Sequence, residues 1–205
     1  MQMLIAIEGC LGAGKTTVAK GLASLRGSTP LLEDFEVNPF LRDFYDDPVG
    51  NAVETEFAFL MLHFHQLKGI SQTLASSEVI ADFHLGKDVL YAELNLGDPR
   101  FTRLFGELYQ LCSERVPAPD LLVFLSASTE RIVERIRSRN RNFELAIDPE
   151  YYGVVNAAYE DLFLQYSGPK VRIDMNRWDF VAEPALYEEL NVLVDTEISS
   201  REGAR

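Results

Sequence analysis

The sequence predicts an α/β fold in which a five-stranded parallel sheet is flanked by helices, all within a single domain of residues 1–205. Short apolar runs alternate along the chain with longer amphipathic stretches, the pattern of parallel strands joined by crossover helices. The first of these runs, Leu4-Ile5-Ala6-Ile7, leads into the glycine-rich Gly9-Cys10-Leu11-Gly12-Ala13-Gly14-Lys15-Thr16, a turn of the kind that joins a strand to a helix. A chain of 205 residues, 47% of them apolar, fills one core and is too short for two domains of ordinary size.

Taken in order, the strands are expected at residues 3–8, 29–32, 79–82, 121–125 and 171–174. The intervening helices are expected at 15–25, 49–74, 99–116, 129–137 and 149–165, with a final helix near 184–193 and a polar, frayed end at 198–205. Phe57, Phe59, Leu60 and Phe64 on the second helix are assigned to the core. Such a doubly wound sheet holds its ligand in the crevice beyond the carboxyl ends of the strands.

Charge and cysteine content exclude several classes. A formal net charge of −13 sets the average field against polyanions, so neither a nucleic acid polymer nor an anionic membrane is expected as partner, and any bound phosphate needs a local site. Two cysteines, Cys10 and Cys112, make no disulfide framework, and no Cys/His spacing suggests zinc. The opening apolar run lacks a basic flank and is too short for a signal segment, and no later stretch approaches a membrane span. A reducing cytoplasm is the expected compartment.

Gly9 to Thr16 satisfies G-x-x-x-x-G-K-[ST], with the required strand before it and helix after it. Glycines let the backbone wrap a polyphosphate, so that successive N–H groups and the positive helix end face it. Residues Gly9, Cys10, Leu11, Gly12, Ala13, Gly14, Lys15, Thr16 and Thr17 are therefore the expected ATP cradle, with Lys15 as a mobile cation and Thr16 as a ligand for Mg²⁺. Cys10 is read as a small side chain and not a redox sensor. No N-K-x-D segment reads guanine as in a GTPase switch. The strand Val79-Ile80-Ala81-Asp82 is not followed by the acidic residue a hydrolytic ATPase uses to position water. Transfer to a bound acceptor is favoured over hydrolysis.

Four separated segments resemble the deoxynucleoside kinase family, in particular its bacterial deoxyadenosine/deoxyguanosine branch, from the glycine-rich loop to about Val181. In the first, Leu32-Glu33-Asp34-Phe35-Glu36-Val37-Asn38-Pro39-Phe40-Leu41 resembles E-P-V-x-x-N-P-Y-L, which implies Glu33 as catalytic base. A carboxylate after the second strand would also face the crevice on purely topological grounds. In the second, Tyr45-Asp46-Asp47-Pro48 through Glu56 to His63-Phe64-His65-Gln66 resembles Y-x-x-P … Q … R-F-x-Q on a substrate-lining helix. Glu56 here replaces a base-reading Gln and His63 replaces an Arg. An ionised Glu offers only acceptors, which suits the N1–H and N2–H₂ of guanine.

In the third, Asp82-Phe83-His84-Leu85-Gly86-Lys87-Asp88 stands in place of the [DE]-R-S motif. The resemblance implies Asp82 for Mg²⁺ with Thr16, and Asp88 for the base-reading group. The motif's Arg, which in relatives contacts the base carboxylate and the 5′-oxygen, is replaced by Phe83; His84 is read as structural. In the fourth, Arg135 to Glu144 keeps the R-x-x-x-R-x-R-x-x-E spacing of an arginine-rich lid at about 137–146. This implies Arg135, Arg139 and Arg141 for the phosphates and Glu144 with Tyr45 for the sugar 3′-hydroxyl. Arg172 to Val181 resembles the family's last strand and the turn beside the ATP adenine.

The resemblance implies a P-loop kinase fold, ATP as phosphate donor, a purine deoxynucleoside (deoxyguanosine favoured, deoxyadenosine or deoxycytidine open) as acceptor in nucleotide salvage, and a homodimer. Lys15, Glu33, Arg139 and Arg141 would carry catalysis. Two rivals stand beside this reading. A nucleoside-monophosphate kinase needs extra cations for its acceptor's phosphate, where this chain has Glu33, Glu56, Asp88 and Glu144. A non-catalytic nucleotide-binding module fits the missing Arg at Phe83.

Overall fold

The computed structural model describes residues 3–139 and 148–202. In chain order they form β1 (Leu4–Glu8), α1 (Lys15–Arg26), β2 (Thr29–Leu31), α2 (Leu41–Asp46), α3 (Pro48–Gly69), β3 (Val79–Ala81), α4 (Gly86–Asn95), α5 (Pro99–Ser113), β4 (Leu121–Ser126), α6 (Thr129–Arg139), α7 (Pro149–Gln165), β5 (Lys170–Asp174) and α8 (Leu186–Glu202). Short 3₁₀ turns follow β2 at Phe35–Val37 and α3 at Thr73–Ala75.

All five strands run parallel in the order β2-β3-β1-β4-β5. The central β1 is buried throughout, which its uninterrupted Leu-Ile-Ala-Ile composition allows. Side chains alternate between the two faces. Ile80 packs with Ile5, Ile7 and the α1 residues Val18 and Leu22, whereas its neighbours Val79 and Ala81 pack with Leu4, the α3 residue Leu60 and the α5 residue Phe105. Neighbouring β1 and β3 send their outgoing connections to opposite faces, and the crevice opens between their carboxyl ends.

Three Asp-Pro pairs open helices in the same way. Asp47, Asp98 and Asp148 each accept a hydrogen bond from a backbone N–H of the first turn, and Pro48, Pro99 and Pro149 occupy first helical positions where no N–H is needed.

The expected strands and helices are all present, with four differences. The long second helix stops at Gly69 instead of residue 74, because a separate 3₁₀ turn closes onto β3. Helix α5 stops at Ser113, not 116. Residues 198–202, expected to be frayed, continue α8 to Glu202, which is anchored by buried Leu190 and Val194 and by the Tyr187 hydroxyl donating to the Thr17 carbonyl at 3.0 Å; residues 203–205 lie outside the described residues. Helices α2 and α4 were not expected, and α4 matters most because it carries part of the site. Of the lid expected at about 137–146, residues 140–147 lie outside the described residues. No described helix is long and apolar enough to cross a membrane.

Candidate active site

Immediately after β1 the chain turns at Gly9, whose φ of 151° and position leave no room for a side chain: a Cβ there would lie 2.5 Å from the Leu125 carbonyl of β4. Gly14, left-handed at φ 106°, caps α1 and aims the free N–H groups of its first turn into the crevice. Lys15 curls back over this loop, its Nζ 2.7 Å from the Gly9 carbonyl and 3.3 Å from that of Cys10. Burial pushes the Cys10 thiol up to about 12, so it stays protonated and packs as a small side chain, as expected.

Asp82, at the end of β3, ties two parts of the site together. Its Oδ2 accepts from the Thr16 hydroxyl at 2.5 Å and its Oδ1 accepts from the Glu33 backbone N–H at 2.6 Å. One carboxylate thus fixes the phosphate loop and the segment after β2. The Thr16 hydroxyl and the Asp82 carboxylate together form the sparse oxygen set that suits Mg²⁺ held jointly with phosphates.

Beside the loop lies a cavity lined by Lys15, Glu33, Tyr45, Glu56, Phe59, His63, Lys87, Asp88, Asn95 and Tyr151. Gln66 holds its edge, donating from Nε2 to the Leu32 carbonyl at 3.0 Å. At the end nearest the loop, Glu33 meets two cations: Lys87 Nζ lies 2.6 Å from Oε2 and His63 Nε2 lies 3.2 Å from Oε1. Burial pushes Glu33 up, but Lys87 and His63 outweigh it and hold the carboxyl well below the usual range. His63 also touches Asp88, Nδ1 to Oδ1 at 2.7 Å. Desolvation opposes its charge, yet Asp88 and Glu33 raise it to about 9, so at neutral pH both ring nitrogens donate. His63 therefore stands as a cation between two carboxylates.

Deeper in the cavity Glu56, 3% exposed, accepts from Asn95 Nδ2 at 2.7 Å, and Asn95 in turn accepts from the Tyr151 hydroxyl at 3.2 Å. Burial pushes Glu56 up to about 7. Asp88 Oδ2 is buried without a hydrogen-bond partner, an acceptor a ligand can use. Phe59, assigned from sequence to the core, instead lines this cavity and stacks on His63 at 5.5 Å, whereas Leu60 is core and Phe57 packs edge-on against Phe105.

On the opposite side of the loop, Gly12, Gly14, Thr17, Arg135, Arg139 and the turn Asp179 to Ala182 line a second crevice. Arg135 is fixed there, donating to the Ala13 carbonyl at 3.0 Å and the Met175 carbonyl at 3.4 Å. Of the residues named from sequence, Lys15, Glu33, Tyr45, Glu56, His63 and Asp88 share the cavity, and Thr16 and Asp82 meet beside it. Arg141 and Glu144 lie outside the described residues. Sequence reading missed Asn95, seven residues beyond Asp88 on one face of α4, and Glu8, buried behind the loop and accepting from the Gly9 and His84 N–H groups at 3.1 and 2.8 Å. It also missed Lys87. A helical reading of residues 86–95 would have placed Lys87, Asp88 and Asn95 together. The His84 ring lies edge-on to Tyr166, with its Nδ1 buried and without a hydrogen-bond partner.

The family model for deoxynucleoside kinases matches residues 5–199. This chain belongs to the deoxynucleoside kinase family. Deoxyguanosine kinase of Bacillus subtilis (strain 168) is 33% identical over 91% of this chain and 93% of its own length. Deoxyadenosine kinase of Lactobacillus acidophilus is 26% identical over 97% of both. Among solved structures, deoxyadenosine kinase from M. mycoides with the products dCMP and a flexible dCDP is similar at TM-score 0.80 and 27% identity, covering 93% of this chain and 100% of that one. The fold is that of a P-loop kinase, and the protein is a kinase acting on a deoxynucleoside with a nucleotide as phosphate donor.

The buried acids and imidazole of this kinase site set its pH response. Glu56 and His63 bind protons more tightly when folded than at their ordinary 4.5 and 6.5. A raised value stabilises fully below the unfolded pKa and loses that stability as pH climbs through about 7 for Glu56 and about 9 for His63. Glu33 acts with the opposite sign, losing stability only as pH falls below its ordinary 4.5. The nucleotide-free kinase will therefore melt at progressively lower temperature as pH rises from about 5 to about 9. Glu56→Gln will flatten the lower half of that decline in thermal denaturation. A wild-type Tm that rises across the window would show the assigned protonation states to be wrong.

Proposed function

We propose that the kinase transfers the γ-phosphate of ATP to the 5′-hydroxyl of a purine deoxynucleoside, with deoxyguanosine preferred. The observation that carries this reading is the placement of Glu33, which abuts the phosphate loop through Asp82 and faces the cavity beside Lys15.

A 5′-hydroxyl in that cavity donates its hydrogen bond to Glu33 and points its oxygen toward the loop. Phosphoryl transfer through a loose transition state needs position and charge stabilisation more than a strong base, so a firmly ionised carboxylate suffices. The proton passes to Glu33 as the O–P bond forms and ADP departs. Lys15 and the loop N–H groups hold the β- and γ-phosphates, and Arg135 and Arg139 flank the donor crevice; Arg141 completes this set by resemblance. Mg²⁺, held by Thr16 and Asp82, would neutralise phosphate charge. Tyr45 serves the sugar, with Glu144 by resemblance.

Glu56, Asp88 and His63 form the base-reading group. Ionised Glu56 accepts from guanine N1–H and N2–H₂, whereas its protonated form offers one donor and one acceptor, as a glutamine does. Because Glu56 titrates near 7, the ratio of kcat/KM for deoxyguanosine over deoxyadenosine will rise on going from pH 6 to pH 8.5, by roughly tenfold. The test is to supply Mg·ATP with each of the four deoxynucleosides and quantify the 5′-monophosphates at both pH values. A deoxyadenosine preference at both would discard the reading of Glu56 and keep the kinase.

A monophosphate acceptor is disfavoured because the cavity's His63 and Lys87 are already neutralised by Glu33 and Asp88. The exposed apolar residues Met61 on α3 and Leu104 and Leu111 on α5 support a homodimer through these two helices, and two free, buried cysteines fit a reducing cytoplasm. The whole chain, residues 1–205, serves as one domain in this reading.

A further inference from the structure

Phe83 occupies the position where the family motif carries an Arg, and it is fully buried and holds no charge. Four residues further on, in the first turn of α4, Lys87 brings an ammonium group to the same carboxylate that such an Arg would serve. Its Nζ lies 2.6 Å from Glu33 Oε2 and sits 5.6 Å from the centroid of the Phe83 ring. We propose that Lys87 is a catalytic cation of this kinase, contacting the attacking 5′-oxygen and Glu33 together, with Phe83 as the aromatic floor that aims it. The assignment rests on the reading of Glu33 as the group that takes the 5′-hydroxyl proton.

Four features point to this role. Lys87 lines the acceptor cavity with Glu33 and Lys15, so its ammonium borders the space where the hydroxyl and the γ-phosphate meet. Three N–H bonds radiate from an ammonium and Glu33 engages one, which leaves donors for an incoming oxygen. A hydroxyl bonded to Glu33 therefore comes within reach of Lys87 as well. Lys87 also stands in the first turn of α4, where the helix dipole disfavours a cation, and it is 5% exposed, where desolvation disfavours one again. Stability alone would place a different residue there. Burial works to lower its pKa, but the carboxylates of Glu33, Glu8 and Asp88 outweigh that and keep the ammonium charged, a fixed positive group and not a base. Negative charge building on the 5′-oxygen and the transferring phosphoryl group meets that cation without reorganisation.

The experiment compares wild type, Lys87→Met and Lys87→Arg for kcat, for the affinity of ATP alone, and for the pH dependence of kcat, with deoxyguanosine and deoxyadenosine as acceptors. Lys87→Met will lower kcat by about 10²–10³-fold with ATP affinity preserved. The acid limb of its kcat profile will move to higher pH, because Glu33 loses the charge that holds it ionised. Lys87→Arg will recover much of the loss and return the limb toward the wild-type position. Should the Met variant not fold, Lys87→Gln carries the same measurements. Wild-type turnover and an unmoved limb in the neutral variants would overturn the assignment. So would a loss of kcat with the limb unmoved and Arg no better than Met, which marks a packing role. A wild type that transfers phosphate to neither nucleoside would overturn the proposed reaction itself, a result distinct from both.

Discussion

Glu33→Gln will lower kcat by about 10²–10⁴-fold while leaving ATP affinity close to wild type. The substitution keeps the shape of the side chain and one acceptor oxygen for Lys87, but the amide cannot take the 5′-hydroxyl proton. It also turns its N–H₂ toward His63 Nε2, which already donates to the present carboxylate across 3.2 Å. Two buried cations then lack their shared anion, so the nucleotide-free variant will also melt earlier. ATP affinity is the control, because the hydrogen bonds that tie Glu33 to the phosphate loop run from its backbone N–H through Asp82 and not from its carboxylate. Single-turnover transfer to deoxyguanosine, measured beside ATP binding, separates the effects. Transfer at the wild-type rate would remove Glu33 from the mechanism.

Asp82→Asn is expected to cost about 10²–10³-fold in kcat and to raise the Mg²⁺ concentration needed for half-maximal rate. Asp82 uses one oxygen for the Thr16 hydroxyl and the other for the Glu33 N–H. An asparagine has a single acceptor oxygen, so one of these bonds is lost and the remaining amide N–H₂ faces a donor. Either the loop threonine or the backbone of Glu33 shifts, and the negative charge that favours a cation is gone. A Mg²⁺ titration of the initial rate reads the second effect and the limiting rate reads the first. An unchanged Mg²⁺ requirement would leave Asp82 a positional role only.

Much of this was legible in the chain. The inner strands β1, β3 and β4 announce themselves as apolar runs because parallel strands covered on both faces need no polar alternation, whereas the edge strands β2 and β5 are partly exposed; Gly9 to Thr16 carries the pattern of a phosphate-binding loop. Asp82, Glu33, His63 and Asp88 were named from the spacing of segments that resemble a family, and the structure brings all four together. Helix α4 escaped notice for a physical reason. Its residues Lys87 and Asp88 are charged yet buried, so the face it turns inward does not read as an apolar stripe. A helical reading would have grouped Lys87 and Asn95 with Asp88, but their partners Glu33 and Glu56 are set against them only by the fold. Phe59 failed in the converse way, since an aromatic on a helix reads as core whether it faces a packed interior or a ligand cavity.

The central claim is most directly tested by following the labelled γ-phosphate of ATP in the presence of deoxyguanosine or its 5′-deoxy analogue. The account predicts label in the 5′-monophosphate of deoxyguanosine, one ADP per product, and none transferred to the analogue. Label released as inorganic phosphate at the same rate with either compound, or with neither, would contradict it.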